Sequence, residues 1–266
     1  MITRIMTIGP GRLYDACCAL SFDEFLYPAI DQTIVVTPID QLFIREKFDQ
    51  FKVDCSNITF LTDAIAREKL DLGEWKDAWY FQQGIKLGLL DDLPGDFLIQ
   101  DADVFAIQPY QYFKNNQPVF RTEEVWNDYH AVYEDRVNKI IGFERIHNQS
   151  YVTEFMPYQK QDWLNLKALI ETRHNKPWKD AIRSVDHFDD TKWFSEYELL
   201  GIYKSNADSD NYQYIKDNMP VIHHVNQLEQ SNWSQANVVK FKARPLKGMK
   251  EQDAHKIIDY FKRITA

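Results

Sequence analysis

The chain has 266 residues, a length that fits one large domain, and its 44% hydrophobic and 27% charged residues are ordinary for a globular protein. Its formal net charge is −9, and no run of Lys or Arg stands out. Nucleic acid is therefore not expected as a partner, because phosphate binding needs a concentrated basic surface. Aromatic residues reach 14%, which predicts a Trp- and Tyr-rich core with a minority of rings lining a site.

The three cysteines, Cys17, Cys18 and Cys55, argue against a disulfide framework because their number is odd and two of them are adjacent. This usage favours a reducing compartment. No apolar stretch approaches the roughly 20 residues that cross a bilayer, and residues 1–7 are too short and polar for a signal peptide. The expected location is the cytoplasm.

The first half alternates strand-like and helix-like segments. Runs rich in β-branched or apolar residues, several of them bounded by Gly or Pro, predict strands at 2–8, 33–37, 57–61 and 97–99. Apolar residues at helical spacing predict helices at 39–51 and around 79–87. Strands that alternate with helices imply a sheet with parallel strands and helices on its faces.

The second half is richer in helices. Helix candidates lie at 124–140, 158–174, 177–185, 193–207 and 249–264, and weak strands at 119–120 and 221–225. We therefore expect an α/β fold with a mixed central sheet and a helix-rich C-terminal half. The chain is interpreted as a single domain over 1–266, with a nucleotide-binding half of about 1–122 and an acceptor-side helical half of about 123–266.

The central motif is Asp101-Ala102-Asp103, directly after the apolar strand predicted at 97–99. Ligands of α/β proteins bind beyond the carboxyl ends of the strands. Two carboxylates placed there repel each other unless a cation or a proton compensates them. Mg²⁺ and Mn²⁺ take such oxygen ligands together with substrate phosphates. The motif therefore predicts a divalent metal site, although a pair of surface acids at a strand end would produce the same sequence pattern.

Two known chemistries use an Asp-x-Asp motif after a strand. Haloacid-dehalogenase-type phosphatases place it after their first strand, with the first Asp as nucleophile. GT-A glycosyltransferases place it after a middle strand, where it holds the metal on a nucleotide diphosphate. Here the motif follows three earlier predicted strands, and Asp189-Asp190 has no apolar strand before it. The position favours the transferase.

The helix around 79–87 has one polar face, because Trp79, Gln82, Gln83 and Lys86 follow the i, i+3, i+4, i+7 spacing. A Lys beside the metal strand could neutralise phosphate charge. Taken alone, the pattern favours an amphipathic helix with a solvated polar face.

Three segments in this order resemble the core signature of an uncharacterised family of glycosyltransferase-like proteins of bacteria and their viruses. The family pattern is W-x-x-Q-Q-x-x-K-L, a short gap, an apolar strand ending in D-A-D, and later S-E-Y-E-x-Y-G. The chain has WYFQQGIKL at 79–87, FLIQDAD at 97–103 and SEYELLG at 195–201. The resemblance covers about residues 30–225.

This resemblance implies a GT-A-type nucleotide-diphospho-sugar transferase fold and a hexosyl- or related transferase activity. The donor would be a nucleotide-sugar, the cofactor Mn²⁺ or Mg²⁺, and the acceptor the hydroxyl of a glycan or another molecule. It implies that Asp103 binds the metal directly and that Asp101 binds it through water or contacts the donor ribose. Trp79, Gln82, Gln83 and Lys86 would then lie near the donor.

The SEYE segment matches the place where such folds carry an acidic residue near the acceptor, which makes Glu196 the candidate catalytic base. An equally good interpretation is an acid in the first turn of a helix, next to a capping Ser195. His223 and His224 are candidate further metal ligands. Neighbours on a strand point to opposite faces, so at most one of them could serve.

The expected function is metal-dependent transfer of a sugar, with Asp101, Asp103 and Glu196 at the centre of the chemistry. Two alternatives stay open at the level of sequence. One is a phosphatase or phosphotransferase that uses Asp101 as nucleophile, and the other is a catalytically silent nucleotide-sugar-binding module.

Overall fold

A computed structural model describes residues 1–73, 75, 77–124, 128–185, 194–209, 213–216, 220–222, 224–229, 233, 236, 238–241 and 249–265. Strands β1–β14 of this part are, in chain order, Ile2–Thr7, Leu26–Tyr27, Gln32–Thr37, Ile58–Thr62, Asp96–Gln100, Val104–Ala106, Tyr110–Gln111, Phe113–Lys114, Gln117–Glu124, Gln149–Ser150, Phe155–Tyr158, Gln213–Lys216, Val221–Ile222 and Val238–Phe241. Helices α1–α9 are Leu13–Leu20, Gln41–Gln50, Asp63–Lys69, Ala78–Asp92, Asp128–Ile141, Lys160–His174, Trp178–Val185, Glu196–Ala207 and Glu251–Thr265. Short 3₁₀ helices lie at Asp23–Phe25 and Val225–Gln227.

The chain forms two compact units, each built from more than one segment. The first unit consists of Met1–Ile65, Gln100–Phe113 and Asn218–Ala266, and the second of Ala66–Ile99 and Lys114–Asp217. The division into a donor half and an acceptor half at about residue 122 stays a prediction, because compactness does not report which ligand a segment binds.

The first unit is built on three parallel strands with β3 in the middle, paired to β1 on one side and to β4 on the other. All residues of β1 except its two end residues are buried, and so are all residues of β3 except the first, which is the pattern of strands that are covered on both faces. A second ribbon pairs β6 antiparallel with β14, and β14 parallel with β13. Parallel and antiparallel pairing therefore occur together, as predicted for a mixed α/β fold.

An aromatic cluster packs helix α9 and the segment that follows α1 against β6 of this ribbon. The rings of Phe22 and Phe105 stack with centroids 5.2 Å apart, and Phe261 of α9 meets the edge of Trp233 at 5.3 Å. All four side chains are at most 6% exposed. Burial of such rings provides much of the hydrophobic stabilisation of this unit.

The second unit is rich in helices, and its core contains three buried tryptophans, Trp75, Trp163 and Trp178. Asp91 accepts the indole N–H of Trp163 at 2.8 Å and that of Trp178 at 3.0 Å, so the polar atom of each ring is satisfied. The prediction that the aromatic residues mostly build core is confirmed for these three.

Most predicted elements are present, with ends that differ by a few residues. The predicted helix 124–140 begins too early, because Glu124 is the last residue of β9. The predicted strand 221–225 is also too long: it ends at Ile222, and Val225 begins a 3₁₀ helix. None of the helices in the described part of the chain combines the length and the apolar character that a membrane span requires.

Candidate functional site

Asp101, Ala102 and Asp103 form a tight turn between β5 and β6. The turn is closed by hydrogen bonds from Val104 N to Asp101 O at 3.3 Å and from Phe241 N to Asp103 O at 2.8 Å. Ala102 is buried, whereas both carboxylates are partly exposed, Asp103 at 14% of its side chain. The turn therefore presents two carboxylates whose position is fixed by the backbone.

Gln100, which precedes the turn, is held from both sides. Its Nε2 donates to Val104 O at 2.6 Å, and its Oε1 lies 3.4 Å from Nη1 of the buried Arg4. Arg4 also donates to both carboxylate oxygens of Asp23, at 2.5 and 2.6 Å, and to Thr33 Oγ1. This network fixes the strand end from which the two acids project.

Two cations that the sequence analysis did not identify face the acids. Arg12 Nη1 lies 3.4 Å from Asp103 Oδ2, and Lys240 sits beside the turn, opposite Val104 in the β6–β14 pairing. Burial raises the pKa of Asp103 and the negative charge of Asp101 adds to this, while Lys240 and Arg12 oppose it. An Arg just after Gly9-Pro10-Gly11 was visible in the sequence, but only the fold brings it to the turn.

A third carboxylate, Asp15 in the first turn of α1, lies behind Arg12. Asp15 Oδ2 is 3.7 Å from Arg12 Nη1 and accepts a hydrogen bond from Met249 N at 3.4 Å. Its side chain is fully buried, and burial raises its pKa to about 7 although Arg12 opposes the shift. No sequence motif marks Asp15, which resembles an ordinary acid in a first helical turn.

The Asp101–Asp103 turn has the chemistry of a divalent metal site. It offers carboxylate oxygens, the ligands that Mg²⁺ and Mn²⁺ prefer. Burial and the nearby charge of Asp101 raise the pKa of Asp103, so the charged form of Asp103 is disfavoured. A divalent cation bound here would stabilise that charged form.

In the second unit, the fold brings together residues 79–87 and 195–201, two of the segments that resemble the glycosyltransferase-like family. Lys86 Nζ on α4 lies 2.6 Å from Glu196 Oε1 at the start of α8, and their side chains are 2% and 1% exposed. Lys86 also lies 3.3 Å from the Tyr197 hydroxyl. Glu196 N donates to Gln83 Oε1 at 3.4 Å, and the indole of Trp79 donates to Phe194 O at 2.9 Å.

These contacts overturn the interpretation of the 79–87 helix as amphipathic with a solvated polar face. Gln83 and Lys86 are buried and Trp79 is partly buried, because α8 lies against them. Gln82 is also only partly exposed. Asp77 caps this helix by accepting hydrogen bonds from Trp79 N and Tyr80 N.

The remaining residues of the SEYE segment have structural contacts of their own. Ser195 caps α8 by accepting from Glu198 N at 3.4 Å, as predicted for a capping Ser. The buried Glu198 carboxylate accepts from Arg145 Nη2 at 3.0 Å, Ser150 Oγ at 2.6 Å and Tyr151 N at 3.2 Å. Burial raises the pKa of Glu198 even though these donors oppose the shift.

The two histidine candidates have different outcomes. His223 lies outside the described residues. His224 is exposed and precedes the 3₁₀ helix Val225–Gln227, where its backbone N–H donates to Gln227 Oε1 at 2.9 Å. This is a capping contact of the kind that satisfies a free N–H at a helix start.

No protein-family model matches the chain, and no curated protein matches its sequence. Among solved structures it is similar to the apo form of mouse xyloside xylosyltransferase 1, with 9% identity, coverage of 94% of this chain and 100% of that chain, and a TM-score of 0.51. It also aligns with the galactosyltransferase LgtC in complex with donor and acceptor sugar analogs, with 10% identity, coverage of 99% and 95%, and a TM-score of 0.47. The likeness to the mouse enzyme is one of fold, and the predicted fold class is confirmed: the chain has the GT-A fold.

Proposed function

We propose that the chain is a metal-dependent glycosyltransferase that moves a sugar from a nucleotide-sugar donor to a hydroxyl of a glycan or another acceptor. One observation carries this proposal: a chain with the GT-A fold presents Asp101 and Asp103 on a hydrogen-bonded, partly buried turn at the end of β5. The mouse protein with the similar fold is, by its name, itself a glycosyltransferase.

In this proposal Asp103 and Asp101 hold a Mn²⁺ or Mg²⁺ ion, Asp103 directly and Asp101 through water or through the donor ribose. The metal would act as a Lewis acid on the diphosphate leaving group. Arg12 and Lys240 carry positive charge beside the same turn, where they would bind the anionic donor.

Gln82 is the member of the 79–87 segment that we assign to the donor, because Gln83 and Lys86 are already engaged with Glu196. Trp79, Gln83 and Lys86 would then support the donor side through this buried network. Glu196 stays the candidate base. Because its carboxylate is 1% exposed and bound to Lys86, it can take a proton from an acceptor only after this ion pair opens.

A thermal-shift screen tests the metal-dependent binding that the proposal requires. Nucleoside diphosphates and nucleotide-sugars are added with and without Mn²⁺ to the wild-type protein, to Asp103→Ala and to the control Asp49→Ala, an exposed acid on α2 of the same unit. A ligand that binds the folded state raises the melting temperature. We expect one nucleotide to do so only with Mn²⁺, in the wild type and in Asp49→Ala but not in Asp103→Ala.

A shift that needs no metal, or that survives in Asp103→Ala, would overturn the metal site. Mass spectrometry then separates an enzyme from a silent binding module, since only an enzyme hydrolyses or transfers the donor sugar identified in the screen. Retention of a covalent phosphate on Asp101, absent in Asp101→Asn, would instead indicate the phosphatase alternative.

A further inference from the structure

Arg12 is shared between two carboxylates of different character. Its Nη1 atom lies 3.4 Å from Asp103 Oδ2 and 3.7 Å from Asp15 Oδ2. The Asp15 side chain is fully buried, that of Asp103 is 14% exposed and that of Arg12 is 34% exposed. The guanidinium therefore stands between a carboxylate inside the protein and a carboxylate of the candidate metal site.

Both ion pairs are loose. Hydrogen-bonded Arg–carboxylate pairs have N–O distances of about 2.7–2.9 Å, shorter than either distance here. Among the described residues, Arg12 Nη1 and Asp15 Oδ1 are buried atoms that lack a hydrogen-bond partner. Buried polar atoms are normally satisfied, so this arrangement is one that a ligand can complete.

Asp15 is the anchored partner of the two. It belongs to α1, and the backbone N–H of Met249 binds its Oδ2 at 3.4 Å. Asp103 is the partner that a metal cation would bind, since it projects from the turn together with Asp101. A guanidinium and a divalent cation repel each other, so they compete for the Asp103 carboxylate.

We propose that Arg12 neutralises Asp103 in the metal-free protein, and that it turns to the donor diphosphate when a divalent cation takes Asp103, with Asp15 retaining it beside the site. This inference rests on the proposed function. Asp15 is then a positioning residue that acts through Arg12.

The charges of the cluster agree with this exchange. Arg12 and Lys240 are cationic side chains beside the acids of the turn. A divalent cation held by Asp103 would add two positive charges here, which favours an incoming diphosphate. The planar guanidinium also matches the geometry of phosphate oxygens and can bind two of them at once.

The test measures the affinities for Mn²⁺ and for pyrophosphate, which the proposal predicts to change in opposite directions when Arg12 is replaced. Electron paramagnetic resonance of free Mn²⁺ gives the metal affinity without nucleotide, and calorimetry with pyrophosphate at saturating Mg²⁺ gives the anion affinity. For Arg12→Gln we expect Mn²⁺ to bind about tenfold more tightly and pyrophosphate about tenfold more weakly, the scale of one charged contact. Arg45→Gln, an exposed Arg on α2 of the same unit, is the control and should change neither.

A second variant tests the role of Asp15. Asp15→Asn should weaken Mn²⁺ binding more in the wild-type background than in the Arg12→Gln background. In the wild type, the loss of the Asp15 charge leaves Asp103 as the one remaining carboxylate partner of the two, so Arg12 competes more strongly with Mn²⁺ for Asp103. Equal effects in the two backgrounds would show that Asp15 does not act through Arg12. If Arg12→Gln does not fold, Arg12→Lys can replace it, because Lys keeps the positive charge but lacks the planar guanidinium group. Arg12→Lys should weaken pyrophosphate binding and leave Mn²⁺ binding unchanged.

The failures of the two proposals are distinguishable. A wild-type protein that binds no Mn²⁺ in an Asp103-dependent manner overturns both. The wild type could instead bind Mn²⁺ through Asp103 while the affinities of Arg12→Gln for Mn²⁺ and for pyrophosphate fall together or stay unchanged. That result would overturn only the proposed exchange of Arg12.

Discussion

Lys86 and Glu196 form an ion pair of 2.6 Å inside the second unit, with side chains that are 2% and 1% exposed. The Lys86 ammonium also lies 4.7 Å above the centre of the Tyr197 ring. Two buried charges are tolerated only as a pair, because the loss of hydration of each is offset by the other. The pair therefore connects α4 to the first turn of α8.

Replacing one partner of this pair should destabilise the protein strongly. For Lys86→Met or Glu196→Gln alone we expect a loss of about 3–5 kcal/mol in the free energy of unfolding, because a buried group is left without its partner. The double variant should lose less than the sum of the two. Urea denaturation of the four proteins gives the interaction energy.

A matched control for this cycle is the pair of Lys139 and Asp135, which has the same 2.6 Å distance but is 50% and 54% exposed. Lys139→Met should cost no more than about 1 kcal/mol, because exposed ion pairs contribute little. Similar losses for Lys86→Met and Lys139→Met would show that burial does not govern the Lys86–Glu196 pair.

Gly201 is expected to tolerate no side chain. A Cβ atom on it would overlap the ring of Tyr151, which packs flat against this turn of α8. Gly201→Ala should therefore lower the free energy of unfolding by about 1–3 kcal/mol through overpacking, although Ala is otherwise the better helix former. Thermal and urea denaturation measure the loss.

Gly73→Ala is the control for this substitution, because a Cβ on Gly73 meets no atom within 4 Å. Its free energy of unfolding should stay within about 0.5 kcal/mol of the wild type. A stabilised Gly201→Ala protein would mean that helix propensity outweighs the contact with Tyr151.

Asp15 should make stability depend on pH. Burial raises the pKa of Asp15 from 3.8 to about 7 in the folded protein, so folding favours its protonated form. The resulting stabilisation is complete below about pH 4 and is lost as the pH rises to about 7. Relative to the wild type, Asp15→Asn should gain stability over this range, by at most about 4 kcal/mol.

Urea denaturation at several pH values between 4 and 8 measures this difference. Asp135→Asn, with a side chain that is 54% exposed, should run parallel to the wild type throughout. An Asp15→Asn curve that also stays parallel to the wild type would show that Asp15 is ionised without cost in the folded protein.

Much of the fold could be predicted from the sequence. The β-branched runs of β1 and β3 and the apolar strand β5 were recognisable because strand burial leaves a local pattern. The helix starts were less certain. Glu124 was assigned to a helix and belongs to β9, since a charged residue at a boundary fits either element.

The candidate site was only partly predictable. Asp101 and Asp103 were identified because a strand end followed by two acids is a local signal. Arg12, Asp15 and Lys240 were missed, because residues this far apart in the chain meet only when the β6–β14 ribbon and α1 are in place.

The sequence by itself determined the strands β1, β3, β4 and β5, most of the longer helices and the two acids of the turn, since these depend on residues a few positions apart. Only the tertiary structure decided that Gln83 and Lys86 are buried, because Glu196 lies 110 residues beyond Lys86 in the chain. Whether a polar helix face meets water or another helix depends on long-range packing, and local periodicity is the same in both cases.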